Sequence, residues 1–471
     1  MSKTKAVYTH GPIGRTMLKN GIAMIAGTIA ICGYNIVDTY FVGQLGKIPL
    51  AAMGFTFPVI MLIGCIFHGL ANGVMAPTAQ LLGNNKHSNA ARIVTSGLLI
   101  TMAFSLSLAL VGIVCNDYIF IKLGAAGETL EQVKGYMNIW YIGCFTASVG
   151  ALANSLLVGA GSPKISGFMM MTGMIINAVL DPIFIFGWGS LPAMGIKGAA
   201  LATVISQFIA GAVNIYFVRH KHHLIVYKKI PWRILKTAAN QIIRYAIPNS
   251  VSMMMMPIGS ALVVKMTSYF GDAAVAASAA ASRLEVVAFI FPMALGITLM
   301  PTVGQNYGAK LYSRIRECHR FAMSFAFIFL LIMGVIFYIL APWAAPKFSP
   351  DAEVQKIMIE ALRIIPWGLW GVEVHRFSGF FYTGCNRPIV TAYLNIYRIF
   401  ILMVPLSYIG YKTGYIEGIF FARLASDIIA GATGYYISKK MVRHLPKDGE
   451  PKPVKTVYKN KYLNYIWEDL F

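Results

Sequence analysis

The chain repeats itself at a distance of 225 residues. The segment MAPTAQLLG, which ends at Gly83, recurs as LMPTVGQNYG, which ends at Gly308, and Pro163 recurs as Pro388. A long internal repeat in a hydrophobic chain is typical of membrane proteins built from two similar helical bundles. The repeat also provides an internal comparison, because positions at which the two halves differ are candidates for function.

Composition indicates that the chain lies in a membrane. Hydrophobic residues make up 57% of it and charged residues only 12%. Apolar stretches long enough to cross a bilayer of about 30 Å recur along the chain, whereas the short alternating strands of a membrane barrel do not occur. Backbone groups in lipid must be satisfied internally, so these stretches are predicted to be helices. We therefore predict an all-α integral membrane fold, with about twelve transmembrane helices in two pseudo-symmetric six-helix bundles around a central cleft. The spans lie near 18–44, 50–73, 92–115, 133–158, 165–187, 196–218, 243–269, 276–304, 319–342, 356–384, 388–410 and 416–438.

The net charge of +22 is explained by membrane topology. If the N-terminus is cytoplasmic, the loops and termini on that side carry 27 Lys and Arg residues and the opposite loops carry seven. This distribution follows the positive-inside rule with both termini in the cytoplasm. We therefore expect a multi-pass protein of the plasma (inner) membrane and no nucleic-acid partner.

The spans divide the chain into four parts. Residues 1–218 are predicted to form the N-terminal bundle and residues 245–440 the C-terminal bundle. The basic segment 219–244 is predicted to be a cytoplasmic linker loop, because it is polar and too short for a domain. Residues 441–471, rich in charges and prolines, are predicted to be a cytoplasmic tail.

Several segments resemble one transporter family. The segment NIVDTYFVGQLG at 35–46 is similar to the first-helix motif of the multidrug and toxic compound extrusion (MATE) transporters. NAVLDPIFIFG at 177–187 resembles the fifth-helix motif of that family, and GAALAT at 198–203 resembles its sixth. The similarity covers about residues 15 to 440. Arg283-Leu-Glu285, with no acid in the seventh span, is most similar to the DinF-like branch.

Two acidic residues within the spans are the strongest functional candidates, because ionisable side chains at membrane depth are costly. At an offset of 225 residues, Asp38 corresponds to Val263. Near Asp181 the local offset is 223, so its counterpart is Val404. An acid needed only for the scaffold would be expected in both halves. We therefore interpret both acids as functional.

The resemblance implies which residues surround these acids. In archaeal members of the family, two acids, an asparagine and a threonine form a polar cluster in the outward half. Carried over, the ion-coupling cluster is Asp38, Asn177, Asp181 and Thr203, with Asn154 and Tyr34 near it. A carboxyl group in a poorly hydrated cavity can bind a proton near neutral pH. The same oxygen atoms, with amide and hydroxyl oxygens, could instead coordinate sodium, so the coupling ion is H⁺ or Na⁺, and no cofactor is expected.

A second group of residues is assigned to a substrate cavity. Methionine is soft and adaptable and suits promiscuous recognition, although only one or two residues of each methionine cluster can face a cavity. The glutamine–glycine pairs of the repeat fit the second and eighth helices of the family. The candidates are Met171, Met253, Met256, Gln80, Gln305 and Glu285. For Glu285 and the other charges of the second half, two interpretations stay open: buried ion pairing, or a role in substrate binding or at a second ion site.

The first span departs from the family pattern at Ala23. The repeat places Ala23 opposite Pro248, and many members of the family carry proline at this first-helix position. A bend of the first helix would therefore depend on its glycines, or would not occur.

The resemblance implies a secondary antiporter that exports organic cations and other amphipathic toxic compounds. Its partners would be these small molecules and membrane lipids, and we expect a monomer. An alternative is a flippase for lipid-linked sugars from the same broad superfamily, although the two acids of the first half argue against it. An enzyme is not expected, because the sequence has no HExxH, GxSxG or Walker motif.

Overall fold

Helices account for almost all of the described chain. The computed structural model describes residues 6–226 and 230–451. Those ranges contain fifteen α-helices: α1 Ile13–Gly43, α2 Lys47–Gly83, α3 His87–Val114, α4 Asn116–Lys122, α5 Gly127–Gly159, α6 Pro163–Phe186, α7 Ile196–His220, α8 Trp232–Thr267, α9 Asp272–Gly308, α10 Tyr312–Phe348, α11 Ala352–Ile364, α12 Leu369–Gly384, α13 Pro388–Ile396, α14 Val404–Lys412 and α15 Ile416–Arg443. A π-helix at Tyr397–Met403 joins α13 to α14. The predicted all-α fold is confirmed.

Ten helices in the described ranges are long and apolar enough to cross a membrane. The pair α13–α14 counts as one of them, because the π-helix between them is continuous with both. Two further predicted spans are also helical but differ in character. The span near 356–384 is divided into α11 and α12 by a 3₁₀ turn at Ile365–Gly368, which contains Pro366. The span near 416–438 is the single helix α15, which carries several charged residues.

The chain forms two compact units. Unit 1 comprises Ile22–Ser250 and the N-terminal residues through Tyr8, and unit 2 comprises Thr9–Gly21 and everything from Val251 onward. Each unit therefore contains six membrane-spanning elements. The first nine residues of α1 belong to unit 2, and α8 contributes its first half to unit 1.

The internal repeat is visible in the backbone of the turns. Gly46 and Gly271, which precede α2 and α9, have φ values of +112° and +93°. Asn85 and Lys310, which follow the same two helices, have φ values of +55° and +60°. A left-handed conformation is uncommon for residues other than glycine. Its recurrence at the 225-residue offset shows that the halves share turn geometry as well as sequence.

In unit 1, α5 is the central helix and packs against α2, α3 and α7. Small residues allow these close approaches, since the Cα of Gly211 on α7 faces Gly150 on α5. Apolar side chains of α2, α5 and α7, such as Phe67, Met137 and Ile196, form a buried core near the site described below.

In unit 2, α12 packs against α15, α9 and α10. Asp351 caps the N-terminus of α11, where its carboxylate accepts hydrogen bonds from the backbone N–H groups of Glu353 at 2.8 Å and Val354 at 3.2 Å. Such a cap satisfies donors that have no partner within the helix.

The segment 219–244, predicted to be a linker loop, is partly helical. Helix α8 begins at Trp232, so only 221–231 separates it from α7, and residues 227–229 within that stretch lie outside the described residues. Ala238, Ile242 and Tyr245 are buried on one face of α8, although the sequence around them is basic. Apolar residues at helical spacing explain the helix, and the overall charge of the segment concealed this pattern.

The predicted tail, 441–471, starts as the last turn of α15, and its residues 452–471 lie outside the described residues. The described part contacts the start of α10. The carboxylate of Asp448 accepts hydrogen bonds from the backbone N–H of Ser313 at 2.7 Å and from its hydroxyl. These bonds to the ionised form hold the pKa of Asp448 below its usual value, because they outweigh the opposite effect of partial burial.

Candidate functional site

Four buried polar side chains from three helices form a connected chain of hydrogen bonds in unit 1. Oγ1 of Thr203 on α7 donates to Oδ2 of Asp38 on α1 at 3.3 Å. Nδ2 of Asn177 on α6 donates to Oγ1 of Thr203 at 3.4 Å and to Oδ1 of Asp181 at 3.2 Å. Asp38 and Asp181 therefore lie at the two ends of one chain of hydrogen bonds. The structure thus brings together the four residues that the sequence motifs grouped.

This cluster has oxygen atoms available for a positive charge. Oδ1 of Asp38, Oδ1 of Asn177 and Oδ2 of Asp181 are buried and receive no hydrogen bond from the described residues. Within the same part of the chain, no salt bridge reaches either carboxyl group. Buried carboxylates are normally paired or coordinated. The arrangement is therefore suited to bind a proton or a small cation.

Helix spacing and a close helix contact create this arrangement. Asn177 and Asp181 lie one turn apart on α6, so their side chains share a face. A Cβ atom placed on Gly198 would lie 2.4 Å from the carbonyl oxygen of Phe184. Only glycine permits α7 to approach α6 this closely. The approach brings Thr203 within hydrogen-bonding distance of Asn177.

Tyr34 and Asn154 lie near the cluster but outside its chain of hydrogen bonds. The hydroxyl of Tyr34 donates to Oγ of Ser206 at 3.1 Å. Asn154 accepts a hydrogen bond from the hydroxyl of Ser166, and its Nδ2 lies 3.2 Å from the sulfur of Met170. Both residues line a cavity whose wall also includes Asp38.

The cavity of unit 1, called the first cavity below, has a volume of about 380 Å³. Aromatic and methionine side chains form much of its wall, and amides add polar points. The main contributors are Tyr34, Asp38, Phe57, His68, Tyr136, Trp140, Met169, Met170, Thr203, Gln207 and Asn214. A mostly apolar wall with a few polar groups is typical of a small-molecule site.

Four of the six predicted substrate-cavity residues, Met171, Met253, Gln80 and Gln305, line neither this cavity nor the second one described below. In the methionine cluster of α6, Met169 and Met170 line the first cavity instead of Met171. Gln80 is buried, and its Nε2 donates to the hydroxyl of Tyr245 at 3.2 Å. Its repeat partner Gln305 is fully buried in α9. A role of these four residues in substrate binding stays a prediction, and a glutamine present in both halves also fits a shared scaffold.

A second cavity, also of about 380 Å³, lies within unit 2. Of the predicted substrate-cavity residues, Met256 and Glu285 line it, whereas Met253 does not and is 39% exposed. Arg398 and Arg423 also line this cavity. Glu285, Arg398 and Arg423 form buried ion pairs, which was one of the two interpretations left open for the charges of the second half.

The ion pairs of the second cavity involve two carboxylates. Nη1 and Nη2 of Arg423 lie 3.2 and 2.5 Å from the two oxygen atoms of Glu285. Arg398 donates to Oδ1 of Asp427 through Nη2 at 2.9 Å and Nε at 3.3 Å. Nε of Arg423 lies 3.9 Å from the other oxygen of Asp427. These charges therefore form one connected network.

Sequence reasoning missed several residues of the first cavity. Gln207 lies one turn after Thr203 on α7, so helical spacing from the predicted threonine could have found it. Tyr136 and Trp140 likewise lie one turn apart on α5. No sequence signal distinguishes these aromatic residues, or His68, from ordinary residues of an apolar helix.

Comparisons with known proteins agree with this architecture. The sequence model of the MatE family matches residues 23–183 and again 248–409, so each half of the repeat is one copy of the family domain. The chain is 30% identical over 437 residues to a protein of Shewanella oneidensis named FAD transporter, covering 91% of this chain and 95% of the relative. It is 26% identical over 338 residues to the multidrug export protein MepA of Staphylococcus aureus, covering 70% of this chain and 73% of MepA.

A solved structure shows the same fold. The MATE transporter VcmN of Vibrio cholerae, crystallised in a bent form, superposes with a TM-score of 0.86 at 28% identity and covers 91% of this chain and 97% of VcmN. A repeated helical membrane fold with a polar cluster in one half defines a transporter rather than an enzyme. The chain belongs to the MatE family of multi-pass membrane transporters.

Proposed function

We propose that this protein is a secondary antiporter that exports small molecules and is driven by an ion that binds at Asp38 and Asp181. The observation that carries the proposal is the buried chain of hydrogen bonds from Asp38 through Thr203 and Asn177 to Asp181. Unlike the acids of the second cavity, these two carboxyl groups form no salt bridge with the described residues. An ion that binds between them therefore changes the net charge of the site.

The coupling ion that we propose is the proton. Asp38 and Asp181 are buried at the two ends of one short chain of hydrogen bonds, and neighbouring buried carboxyl groups are most stable when only one of them is charged. Sodium is the alternative, because the carboxylate, amide and hydroxyl oxygens of the cluster are ligands that a hard cation accepts.

The first candidate class of substrate is organic cations and other amphipathic compounds. Asp38 lines the first cavity together with aromatic and methionine side chains, which offer a flat apolar surface beside a negative charge. Cation–π contacts and a carboxylate both favour such compounds. The similarity to MepA, a multidrug export protein, supports this class.

Flavin adenine dinucleotide is a second candidate substrate. The relative named FAD transporter matches this chain over 91% of its length. The first cavity also contains hydrogen-bonding side chains that a drug-like cation would not require, among them Gln207 and Asn214. Transport of a lipid-linked sugar has less support, because the carboxyl pair gives such a substrate no evident partner.

The protein is proposed to act as a monomer in the plasma (inner) membrane, with both termini in the cytoplasm. The excess of Lys and Arg in the loops on one side supports this orientation. Its partners would be exported small molecules and membrane lipids.

The test is transport in proteoliposomes under a pH gradient and, separately, a sodium gradient, with a fluorescent organic cation and with FAD. Asp38→Asn resembles the protonated acid but cannot titrate, so gradient-driven transport should be lost while the protein stays folded. Asp272→Asn, which removes an exposed acid at the start of α9, is the matched control and should transport normally. Full transport by a well-folded Asp38→Asn protein would reject the proposed ion site.

A further inference from the structure

The two cavities are copies of one another within the internal repeat. At ten positions, a residue that lines the first cavity and a residue that lines the second are 225 residues apart in the sequence. Asn35 and Ser260, for example, occupy equivalent places, as do Asp38 and Val263. Each unit has thus kept the cavity that it inherited, and the two cavities have equal volumes of about 380 Å³.

Charge is distributed differently in the two copies. The first cavity carries the acid Asp38, and the corresponding residue of the second cavity is Val263. The second cavity carries Glu285 where the first has Ile60, and it adds two arginines, Arg398 and Arg423. Among the described residues, no lysine or arginine lines the first cavity. Only the second cavity therefore offers guanidinium groups to a ligand.

Arg423 is oriented for recognition of an anion. Its two terminal nitrogen atoms point at the two oxygen atoms of Glu285, which is the paired geometry in which arginine holds carboxylate or phosphate. The side chain of Arg423 is 27% exposed and lines the cavity, whereas that of Arg398 is only 7% exposed and is held by Asp427. Arg423 is therefore the more accessible of the two cations.

Hydroxyl groups and apolar side chains complete the lining. Ser260, Ser278 and Ser282 offer hydrogen-bond donors, and Oγ of Ser278 has no partner among the described residues. Phe289 and Phe420 provide apolar surface in the same cavity. A ligand that fits has an apolar body and an anionic group that accepts hydrogen bonds.

We propose that the second cavity is a binding site for an amphipathic small molecule that carries a phosphate group, with the phosphate on Arg423. The charges of Glu285, Asp427, Arg398 and Arg423 sum to zero, so a ligand anion must displace the Glu285 carboxylate from Arg423. Phosphate can do so because it carries more charge than a carboxylate and has three acceptor oxygens. In this site Glu285 occupies the place of the ligand anion when no ligand is bound.

The experiment measures binding of two flavins to the purified protein in nanodiscs of phosphatidylcholine. Flavin mononucleotide and riboflavin share one aromatic body and differ by the phosphate, and both are fluorescent. The mononucleotide should bind at least about tenfold more tightly, as expected for hydrogen bonds to a charged group. Equal affinities would overturn the proposal.

Variants of the ion pair separate binding from structural stability. Glu285→Gln removes the competing carboxylate and should strengthen binding of the mononucleotide, whereas a purely structural ion pair predicts unchanged or weaker binding. The double variant Glu285→Gln/Arg423→Gln keeps the charge balance of the network and should abolish the preference for the mononucleotide. A preference that survives in a folded double variant would also overturn the proposal.

Two further measurements identify the source of the phosphate and distinguish this site from the ion site. If the site binds a soluble molecule, phosphatidic acid added to the nanodiscs should leave binding of the mononucleotide unchanged. Competition by phosphatidic acid would assign the site to a lipid phosphate instead. Asp38→Asn should leave the difference between the two flavins unchanged, because that residue lies in the first cavity. If Asp38 proved not to be the ion-coupling residue, the expected difference in affinity between the two flavins would be unaffected.

Discussion

Replacement of Asp427 by asparagine should destabilise the protein without changing its ion coupling. Asp427 is fully buried on α15 and accepts two hydrogen bonds from Arg398, at 2.9 and 3.3 Å. Arg423 lies 3.9 Å from its second oxygen atom. Asparagine has the same size as aspartate but no charge. The variant therefore removes the carboxylate to which the buried Arg398 is hydrogen-bonded.

The expected loss is about 3–5 kcal/mol in the free energy of unfolding, which is typical when one partner of a buried ion pair is removed. Arg423 keeps its contact with Glu285, so the loss should come mainly from Arg398. Asp181→Asn is the matched variant in unit 1. Asp181 forms no salt bridge with the described residues, so its neutralisation should cost about 1 kcal/mol or less, the scale of a single hydrogen bond.

The assay combines two measurements on both variants. Denaturant unfolding of purified protein, followed by tryptophan fluorescence, gives the free energy of unfolding. Efflux against pH in proteoliposomes, normalised to folded protein, shows whether ion coupling has changed. We expect Asp427→Asn to lower stability and keep the pH profile, and Asp181→Asn to do the reverse. If Asp427→Asn moved the profile while Asp181→Asn matched the unmodified protein, the ion path would lie in unit 2 and the reasoning would be refuted.

Three other predictions concern stability and topology. Burial, together with the charges of Lys221, His87 and His223, lowers the pKa of His222 from 6.5 to about 4. The folded state should therefore lose up to about 3 kcal/mol of stability as the pH falls from 6.5 to 4. His222→Gln should flatten this acid dependence, whereas His220→Gln, at an exposed histidine that does not affect the pKa of His222, should not. Gly431→Ala would place a Cβ atom 2.4 Å from the Cα of Gly371 and should lower the free energy of unfolding by at least about 1–3 kcal/mol. Gly54→Ala, where the added atom meets nothing within 4 Å, should not destabilise the protein, and denaturant unfolding of both variants measures the difference. A cysteine placed at His223 in a cysteine-free protein should react with a membrane-impermeant thiol reagent only from the cytoplasmic side, and labelling from the outside would invert the proposed topology.

The ion cluster could be predicted from sequence because two simple regularities determine it. Asn177 and Asp181 are four residues apart, so any helix places them on one face. Comparison of the halves singled out Asp38 and Asp181, because a valine stands at each equivalent position. Neither regularity depends on knowing how the helices pack. The position of Thr203 does depend on packing, and it came from the motif of the sixth helix.

The cavity residues were harder to predict because they depend on helix rotation. The cluster Met169–Met171 covers most of one helical turn, and only the packing of α6 decides that Met169 and Met170 face the first cavity. Gln80 illustrates a different point. It recurs as Gln305, and the principle applied to the acids favours a scaffold role for this pair over a site role. The hydrogen bond from Gln80 to Tyr245 agrees with that interpretation.

Charge balance explains why the two inherited cavities can differ in role. In the second cavity, Glu285 and Asp427 each face a guanidinium group, so protonation of either would leave a buried cation without its partner. Such a proton would be costly, and the network is better suited to exchange one anion for another. Asp38 and Asp181 belong to one chain of hydrogen bonds and form no salt bridge with the described residues, so a proton there relieves repulsion instead of breaking a pair. Duplication supplied two equivalent cavities. One of them is lined by Glu285, Arg398 and Arg423, whose charges are paired, and the other is the site where a proton can bind and leave at low cost.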